Sequence, residues 1–217
     1  MIKNIFFDFN GTILDDTNLT YSIEAEMLEK EGLPPVSLEF YLDNFGFPVK
    51  DYYKKVGFDL SGNNFEILSN YFFSEYTKRE AKETKLHDGI EEILIKLKKS
   101  GYKVYILSAS EEKLLINQLK ALGIESYFDG FAASNNIDAL GKIGYGRKFI
   151  LDHNINTDES IMIGDTLHDY EVAKELNLIP ALFSRGHNSK KLLSETGAKI
   201  FDSFKEFYDF LEKNNSK

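Results

Sequence analysis

Five short apolar runs, separated by segments with helical periodicity, constrain the fold of this chain more than any other feature. The runs are 5–7, 104–107, 161–163, 180–183 and 198–201. Between them, as in 90–97 and 114–122, apolar residues recur every three or four positions, which is the period of a helix packed on one face. Strands that alternate with such helices form parallel sheets. The sequence therefore predicts an α/β fold with a doubly wound, Rossmann-like parallel sheet.

The segment 17–86 departs from this alternation, because it contains helical patterns and turn signals but no clear buried strand. We interpret it as a helical domain inserted after the first strand, with linkers near Asp16 and Leu86. The prediction is a sheet domain of residues 1–16 and 87–217 and a helical insert of residues 17–86.

Composition and charge exclude several classes of protein. The net charge of the 217 residues is −9, which disfavours binding to the polyanionic backbone of nucleic acid. The absence of cysteine excludes disulfides, thiolate metal ligands and cysteine nucleophiles. No apolar run has the length of a membrane span. We expect a soluble, cytoplasmic monomer or homodimer whose partners include neither nucleic acid nor membrane.

Two of the apolar runs end in an aspartate. Asp8 follows 5–7, Asp165 comes soon after 161–163, and Asp169 lies four residues further on. The carboxyl ends of parallel strands meet at one edge of a sheet, where a carboxylate can serve as nucleophile, metal ligand or both. Oxygen ligands of this kind suit Mg2+. The alternative is structural: Asp8 and Asp165 cap turns or helices, and Asp169 offsets a helix dipole.

Ser108 and Lys142 provide candidate partners for an anion. Ser108 follows the run 104–107, so its hydroxyl and the backbone N–H groups from Ala109 onward can bind an anion or cap a helix. Lys142 lies in a segment that we predict to be a loop, where a lysine is most often a solvated surface residue. Beside clustered carboxylates, its charge would offset their repulsion. Nucleophile, metal ligands, anion donors and a cation together favour phosphoryl transfer.

These residues and their order along the chain resemble the motifs of the haloacid dehalogenase-like hydrolase superfamily. They are Asp8-Phe9-Asn10-Gly11-Thr12, Ser108, Lys142, and Gly164-Asp165-Thr166 with Asp169. The resemblance covers nearly the whole predicted sheet domain. The insert resembles the helical cap of the phosphoglycolate-phosphatase-like branch, with 46–53 similar to its substrate-facing loop.

The resemblance implies a Mg2+-dependent hydrolase of a small phosphorylated metabolite, in which Asp8 attacks phosphorus and becomes an aspartyl-phosphate. It implies these site residues: Asp8, the backbone carbonyl of Asn10, Asp165 and Asp169 for the metal; and Ser108, Ala109, Lys142 and Thr12 for the substrate, with Thr12 also bracing the loop. Lys142 also neutralises Asp8, and Arg147 and Lys148 are the alternatives for that positive charge.

Asn10 departs from the family pattern, which has an aspartate there as general acid and base. An amide cannot transfer a proton, and losing such a group lowers a rate by about 10²–10⁴-fold. We therefore expect slowed turnover or a bias to good leaving groups, such as pyrophosphate or acyl phosphates. Asn10 is either natural, introduced to trap a complex, or deamidated to aspartate in the protein. The alternative functions are a catalytically impaired phosphate-binding regulatory protein, a pyrophosphatase, a phosphomutase and a dehalogenase.

Several other residues are weaker candidates. We expect His168 to face solvent or cap a helix, His187 to lie on the rim of the cleft and His87 to lie in a linker near the hinge. Lys50 and Tyr52 in the insert are candidates for shaping substrate specificity.

Overall fold

The computed structural model describes residues 1–134 and 141–215, and its centre is a six-stranded parallel sheet. The strands in chain order are β1 (Asn4–Phe7), β2 (Leu14–Asp15), β3 (Lys85–Leu86), β4 (Lys103–Glu111), β5 (Gly130–Ser134), β6 (Ser160–Gly164), β7 (Ile179–Phe183) and β8 (Lys199–Phe201). The sheet order is β5-β4-β1-β6-β7-β8, and β2 pairs with β3 in a separate antiparallel ribbon. β4 and β5 lie in turn on one side of β1, and β6, β7 and β8 lie in turn on its other side. This arrangement confirms the predicted doubly wound α/β fold.

Ten α-helices lie in the described parts of the chain. They are α1 (Thr17–Lys30), α2 (Leu38–Asn44), α3 (Val49–Lys55), α4 (Asn64–Glu83), α5 (Ile90–Lys99), α6 (Glu112–Ala121), α7 (Gly141–Asp152), α8 (Leu167–Glu175), α9 (Lys190–Ser194) and α10 (Phe204–Asn215). Within these same residues, no helix is both long and apolar enough to cross a lipid bilayer.

The sheet is covered on both faces, because alternate residues of a strand point to opposite sides. In β1, Ile5 and Phe7 pack into one cluster with residues of α5, α6 and α10. Phe6 packs into a second cluster with residues of α7 and α8. All three side chains are fully buried, so β1 forms the centre of the core and holds the residues that follow it in a fixed position.

The insert has its own apolar cluster. Its buried members all come from residues 19–68 and pack α1 to α4 against one another. The chain enters the insert through β2 and leaves through β3, which pair Leu14 with Leu86 and Asp15 with Lys85. The sequence did not reveal this ribbon, because strands of two residues are too short to show a period. The insert is thus joined to the sheet by two adjacent chain segments.

Two local predictions were wrong, and one strand was missed. Lys142 lies in the first turn of α7 and not in a loop; the glycines of that helix weaken its sequence pattern. A Cβ at one of them, Gly146, would collide with Leu176, so glycine lets α7 approach its neighbours. Ser108 does not end its strand, since β4 runs on to Glu111 with a register shift against β5. Strand β5 was not predicted, because its sequence, GFAAS, is no continuous run of large apolar residues.

Candidate active site

Asp8 and Asp165 lie at the carboxyl ends of the neighbouring strands β1 and β6. The backbone N–H of Asp8 donates to the carbonyl of Ile163 (2.9 Å), which continues the ladder between the two strands to this point. Together with Asp169, they form a buried cluster in which one carboxylate oxygen from each residue lies within 4.8 Å of the others. Of the groups that sequence reasoning singled out, these three carboxylates are thus brought together.

The loops around the cluster hold the carboxylate of Asp165. The hydroxyl of Thr12 donates to its Oδ1 (2.7 Å), and the backbone N–H of His187 donates to its Oδ2 (2.7 Å). A Cβ at either Gly11 or Gly186 would overlap this side chain. Glycine at both positions therefore lets two loops pack directly on Asp165. Thr12 is fully buried, and its hydroxyl faces Asp165.

Asp169 is fixed by the start of α8. Thr166 is the N-cap residue of this helix and forms a capping box with Asp169, so the predicted alternative of Asp165 as the helix cap was wrong. Asp169 Oδ2 accepts hydrogen bonds from the backbone N–H groups of Asp165 (3.1 Å) and Thr166 (3.0 Å). The other oxygen is left to face Lys142.

Lys142 supplies the positive charge of the cluster. Its Nζ lies 2.5 Å from Asp8 Oδ1 and 2.5 Å from Asp169 Oδ1, and the residue is buried. The alternatives are placed elsewhere: Lys148 pairs with Asp152 on the surface, and Arg147 is exposed. The first turn of α7 therefore points the ammonium between the ends of β1 and β6.

Burial and the repulsion between neighbouring carboxylates make it unfavourable for all three aspartates of the cluster to be ionised without further positive charge. Burial raises the pKa of Asp8 to about 8; Lys142 opposes this effect, and Asp169 adds to it. Burial also raises the pKa of Asp165 to about 6. For Asp169, burial favours a higher pKa, but the charge and hydrogen bond of Lys142 and the hydrogen bonds from Thr166 together outweigh it, and the pKa is lowered. The three buried carboxylates offer hard oxygen ligands, and a single ammonium does not balance their charge. Such a cluster fits a divalent cation of the Mg2+ type.

The predicted anion donors Ser108 and Ala109 lie in the last part of β4. Ser108 is buried, and its hydroxyl accepts from the backbone N–H of Ser110 (3.1 Å), whereas Ala109 is exposed. The Ser110 hydroxyl lies 3.5 Å from Asn10 Oδ1. The irregular end of β4 thus places the Ser110 hydroxyl near position 10.

The side chain of Asn10 is held by two residues that sequence reasoning missed. Its Nδ2 donates to Asp16 Oδ2 (2.8 Å) and to the hydroxyl of Tyr76 (2.8 Å) in α4 of the insert. The only signal for Asp16 was a second acid in the predicted linker, and nothing in the sequence links Tyr76 to position 10.

The prediction for His187 was wrong, since it is buried under the cleft and not on its rim. Its Nε2 lies 3.1 Å from Asp16 Oδ1, and its Nδ1 is 2.8 Å from the hydroxyl of Tyr41 in the insert. Burial lowers the pKa of His187, but the charge and hydrogen bond of Asp16, together with the charges of Asp165 and Asp8, outweigh burial and raise it to about 9. Correspondingly, His187 and the hydrogen bonds from Tyr76 and Asn10 together outweigh the effect of burial on Asp16, whose pKa is lowered. The two form a buried ion pair within the sheet domain, and the hydroxyl of Tyr41 joins His187 to the insert.

The remaining candidates have mostly structural contacts. His87 directly follows β3, and its Nε2 lies 3.0 Å from the carbonyl oxygen of Gly11. His168 is partly exposed and packs on Phe47, with ring centroids 5.0 Å apart. Lys50 lies over the ring of Phe65 at 5.6 Å. The hydroxyl of Tyr52 donates to Glu24 inside the insert.

The insert makes direct hydrogen bonds to the loop after His187. The side-chain amide of Asn188 donates to the carbonyl of Phe45 (2.7 Å), and the backbone N–H of Ser189 donates to the carbonyl of Leu42 (2.9 Å). These contacts seat the α2 end of the insert on the edge of the sheet that carries the cluster.

Comparisons with known proteins agree with this architecture. Residues 5–181 match the Haloacid dehalogenase-like hydrolase family. The chain is 26% identical to a phosphoglycolate phosphatase of Nitrosococcus oceani over 85% of this chain and 84% of that one. It is 24% identical to the pyrophosphatase PpaX of Listeria monocytogenes over 83% and 82%.

A crystal structure of a predicted phosphatase from Clostridium acetobutylicum has the same fold. It superimposes with a TM-score of 0.83 over 98% of this chain and 99% of that one, at 24% identity. The matched family spans β1 to β7, and with them every residue of the carboxylate cluster. The chain therefore belongs to the haloacid dehalogenase-like hydrolase family, in its phosphoglycolate-phosphatase-like branch.

Proposed function

We propose that the protein is a Mg2+-dependent phosphatase that hydrolyses a small phosphorylated metabolite through an aspartyl-phosphate on Asp8. The observation that carries the proposal is the buried cluster of Asp8, Asp165 and Asp169 with Lys142 between two of its members. Such a cluster is costly to bury unless charge is brought to it. The phosphatases and pyrophosphatase among its relatives support the same chemistry.

Asp8, Asp165, Asp169 and the backbone carbonyl of Asn10 would hold Mg2+. When bound, the ion supplies positive charge for the oxygens of the transferring phosphoryl group and for the crowded carboxylates. The three carboxylates are already held close together by the two strand ends and the first turn of α8. Little rearrangement is then needed to bind the ion.

The chain's own groups divide the remaining work. Lys142 offsets the charge of Asp8 and so favours the ionised, nucleophilic form of that carboxylate. Lys142, the Ser108 hydroxyl and the backbone N–H of Ala109 hold phosphoryl oxygens as the Asp8–phosphorus bond forms and the bond to the leaving group breaks. Water then attacks phosphorus, the bond between phosphorus and the Asp8 carboxylate breaks, and inorganic phosphate leaves with the oxygen and the protons of the water.

Residues 17–86 form the cap of this site in the proposal. Its support is the set of contacts that cross from the insert to the cluster's surroundings: Tyr76 to Asn10, Tyr41 to His187 and Phe47 to His168. The β2–β3 ribbon is the hinge, and opening it admits substrate while closure excludes water.

Asn10 favours a second candidate within the same chemistry, hydrolysis of pyrophosphate or an acyl phosphate. An alkoxide leaving group needs a proton as its bond breaks, and Asn10 has none to give. Phosphate and carboxylate leave without one. Whether the enzyme prefers these substrates or an alkyl phosphate such as phosphoglycolate therefore depends on whether residue 10 can protonate the leaving group.

A panel of phosphorylated metabolites, with pyrophosphate and p-nitrophenyl phosphate added, tests the proposal at fixed Mg2+ and after chelation with EDTA. We expect turnover that needs Mg2+ and is lost in Asp8→Asn. The matched control is Asp158→Asn, an exposed aspartate just before the opposite end of β6, which we expect to retain full activity. Turnover that survives in Asp8→Asn would refute the nucleophile, and phosphate binding without turnover would favour the regulatory protein.

A further inference from the structure

Asp16 lies directly behind Asn10, is 2% exposed and accepts hydrogen bonds on both oxygens of its carboxylate. The backbone N–H of Gly11 (2.8 Å) and Nε2 of His187 (3.1 Å) approach Oδ1. Nδ2 of Asn10 (2.8 Å) and the hydroxyl of Tyr76 (2.7 Å) approach Oδ2. Since each oxygen has two donors, Asp16 is saturated as an acceptor and does not replace the missing base.

The orientation of the Asn10 side chain follows from this arrangement. A carboxylate that is paired with His187 only accepts hydrogen bonds, so the atom of Asn10 that faces it is the NH2 group. The amide oxygen is turned the other way, toward the Ser110 hydroxyl at 3.5 Å. Position 10 therefore presents an acceptor on the side away from Asp16, where the end of β4 lies.

We propose that Asp16 is a positioning residue that requires an amide at position 10 and holds the Asn10 carbonyl oxygen toward the cleft. The inference rests on the proposed function, because there this oxygen accepts a hydrogen bond from the water that attacks the aspartyl-phosphate. Accepting a hydrogen bond orients the water without removing its proton. Asn10 thus fits the site in which it stands, as one half of an amide–carboxylate pair.

A carboxylate at position 10 would disturb that pair. In Asn10→Asp, an oxygen takes the place of the nitrogen that lies 2.8 Å from Asp16 Oδ2, and two like charges come into contact. Asp16 and Tyr76 also lose a donor. The exchange variant Asn10→Asp/Asp16→Asn restores one amide and one carboxylate, so that the new amide at position 16 donates where the amide of Asn10 did. We therefore expect the two substitutions to compensate for each other.

The test is a double-mutant cycle of wild type, Asn10→Asp, Asp16→Asn and the exchange variant, followed by thermal unfolding and steady-state kinetics. We expect Asn10→Asp to lower the Tm by about 5 °C or more and the exchange to recover at least half of that loss. With β-glycerophosphate and Mg2+, we expect kcat of the exchange variant to exceed that of Asn10→Asp about tenfold, at similar KM. Asn18→Asp, which adds the same charge at an exposed position, is the control without coupling.

Additive Tm changes, or an Asn10→Asp protein that keeps its Tm and gains as much kcat as the exchange variant, would overturn the inference. If Asp16→Asn does not fold in either background, Asn10→Asp is compared with Asn10→Ala. If the two carboxylates repel each other, the Tm of Asn10→Asp lies below that of Asn10→Ala. A Tm of Asn10→Asp that is equal or higher contradicts the pairing. The Tm cycle decides the pairing even if no variant, wild type included, hydrolyses a phosphate ester, a result that would refute only the proposed function.

Discussion

Glu24 places a carboxyl group inside the apolar cluster of the insert, and its replacement by glutamine is expected to stabilise the protein at neutral pH. The residue is 3% exposed, and the Tyr52 hydroxyl donates to it at 2.6 Å. No cation pairs with it within residues 1–134 and 141–215. Burial raises its pKa from the ordinary 4.5 to about 7, and the hydrogen bond from Tyr52 opposes only part of that effect.

The sign and size of the effect follow from proton linkage. Between pH 4.5 and 7, the unfolded chain loses this proton while the folded chain keeps it, so the free energy of unfolding falls as the pH rises. Below pH 4.5 there is no cost, and above pH 7 the cost is complete, at about 3 kcal/mol. Glutamine keeps an acceptor for Tyr52 and does not ionise. The stability of Glu24→Gln relative to wild type is therefore expected to rise by about 2–3 kcal/mol between pH 5 and pH 8.

Urea unfolding at pH 5 and pH 8 measures this difference. The comparison between the two pH values removes any constant cost of packing the amide, so only the change with pH matters. Glu29→Gln, an exposed residue of the same helix, is the control and is expected to show no such change. A stability difference between Glu24→Gln and wild type that is equal at both pH values would refute the argument.

Three further substitutions test the site and the core. Lys142→Met is expected to lower kcat at least 10²-fold in a phosphatase assay, since Asp8 loses its counter-charge, while Lys148→Met on the same helix keeps its activity. Gly186→Ala is expected to weaken activation by Mg2+ more than tenfold, because the new Cβ displaces Asp165; an unchanged Mg2+ titration would contradict this packing. Phe207→Ala is expected to cost about 3–5 kcal/mol of unfolding free energy in urea, since the ring is fully buried against Phe7; a cost below 1 kcal/mol would argue against the packing.

The strand ends could be predicted because their signal is local. An apolar run such as 5–7 or 161–163 is too short for a helix and has to be buried, and a polar residue one or two positions after it has to lie at the sheet edge. Asp8 and Asp165 were therefore placed correctly from the sequence. The apolar periods of α5, α6 and α10 were equally readable, since each helix packs one face on the sheet.

Lys142 shows where local signals fail. Glycines in α7 weaken its helical pattern, yet they are what lets the helix pack closely on its neighbours. Which of Lys142 and Lys148 reaches Asp8 also depends on which face of α7 turns toward β1. That face is set by packing on the sheet.

The sequence by itself determined the class of fold, the strand ends that carry the carboxylates and the substitution of Asn10 for an acid. Only the tertiary structure decided what surrounds Asn10, because its environment comes from chain segments that are distant in sequence. His187 reaches Asp16 from 171 positions away, and Tyr76 reaches Asn10 from 66. A buried hydrogen-bond donor needs an acceptor beside it, and a buried acceptor needs a donor. The sequence shows which groups the chain contains but not which of them meet. Folding selects the partners, and here it placed a carboxylate beneath position 10, where an amide can donate to it and a second carboxylate cannot.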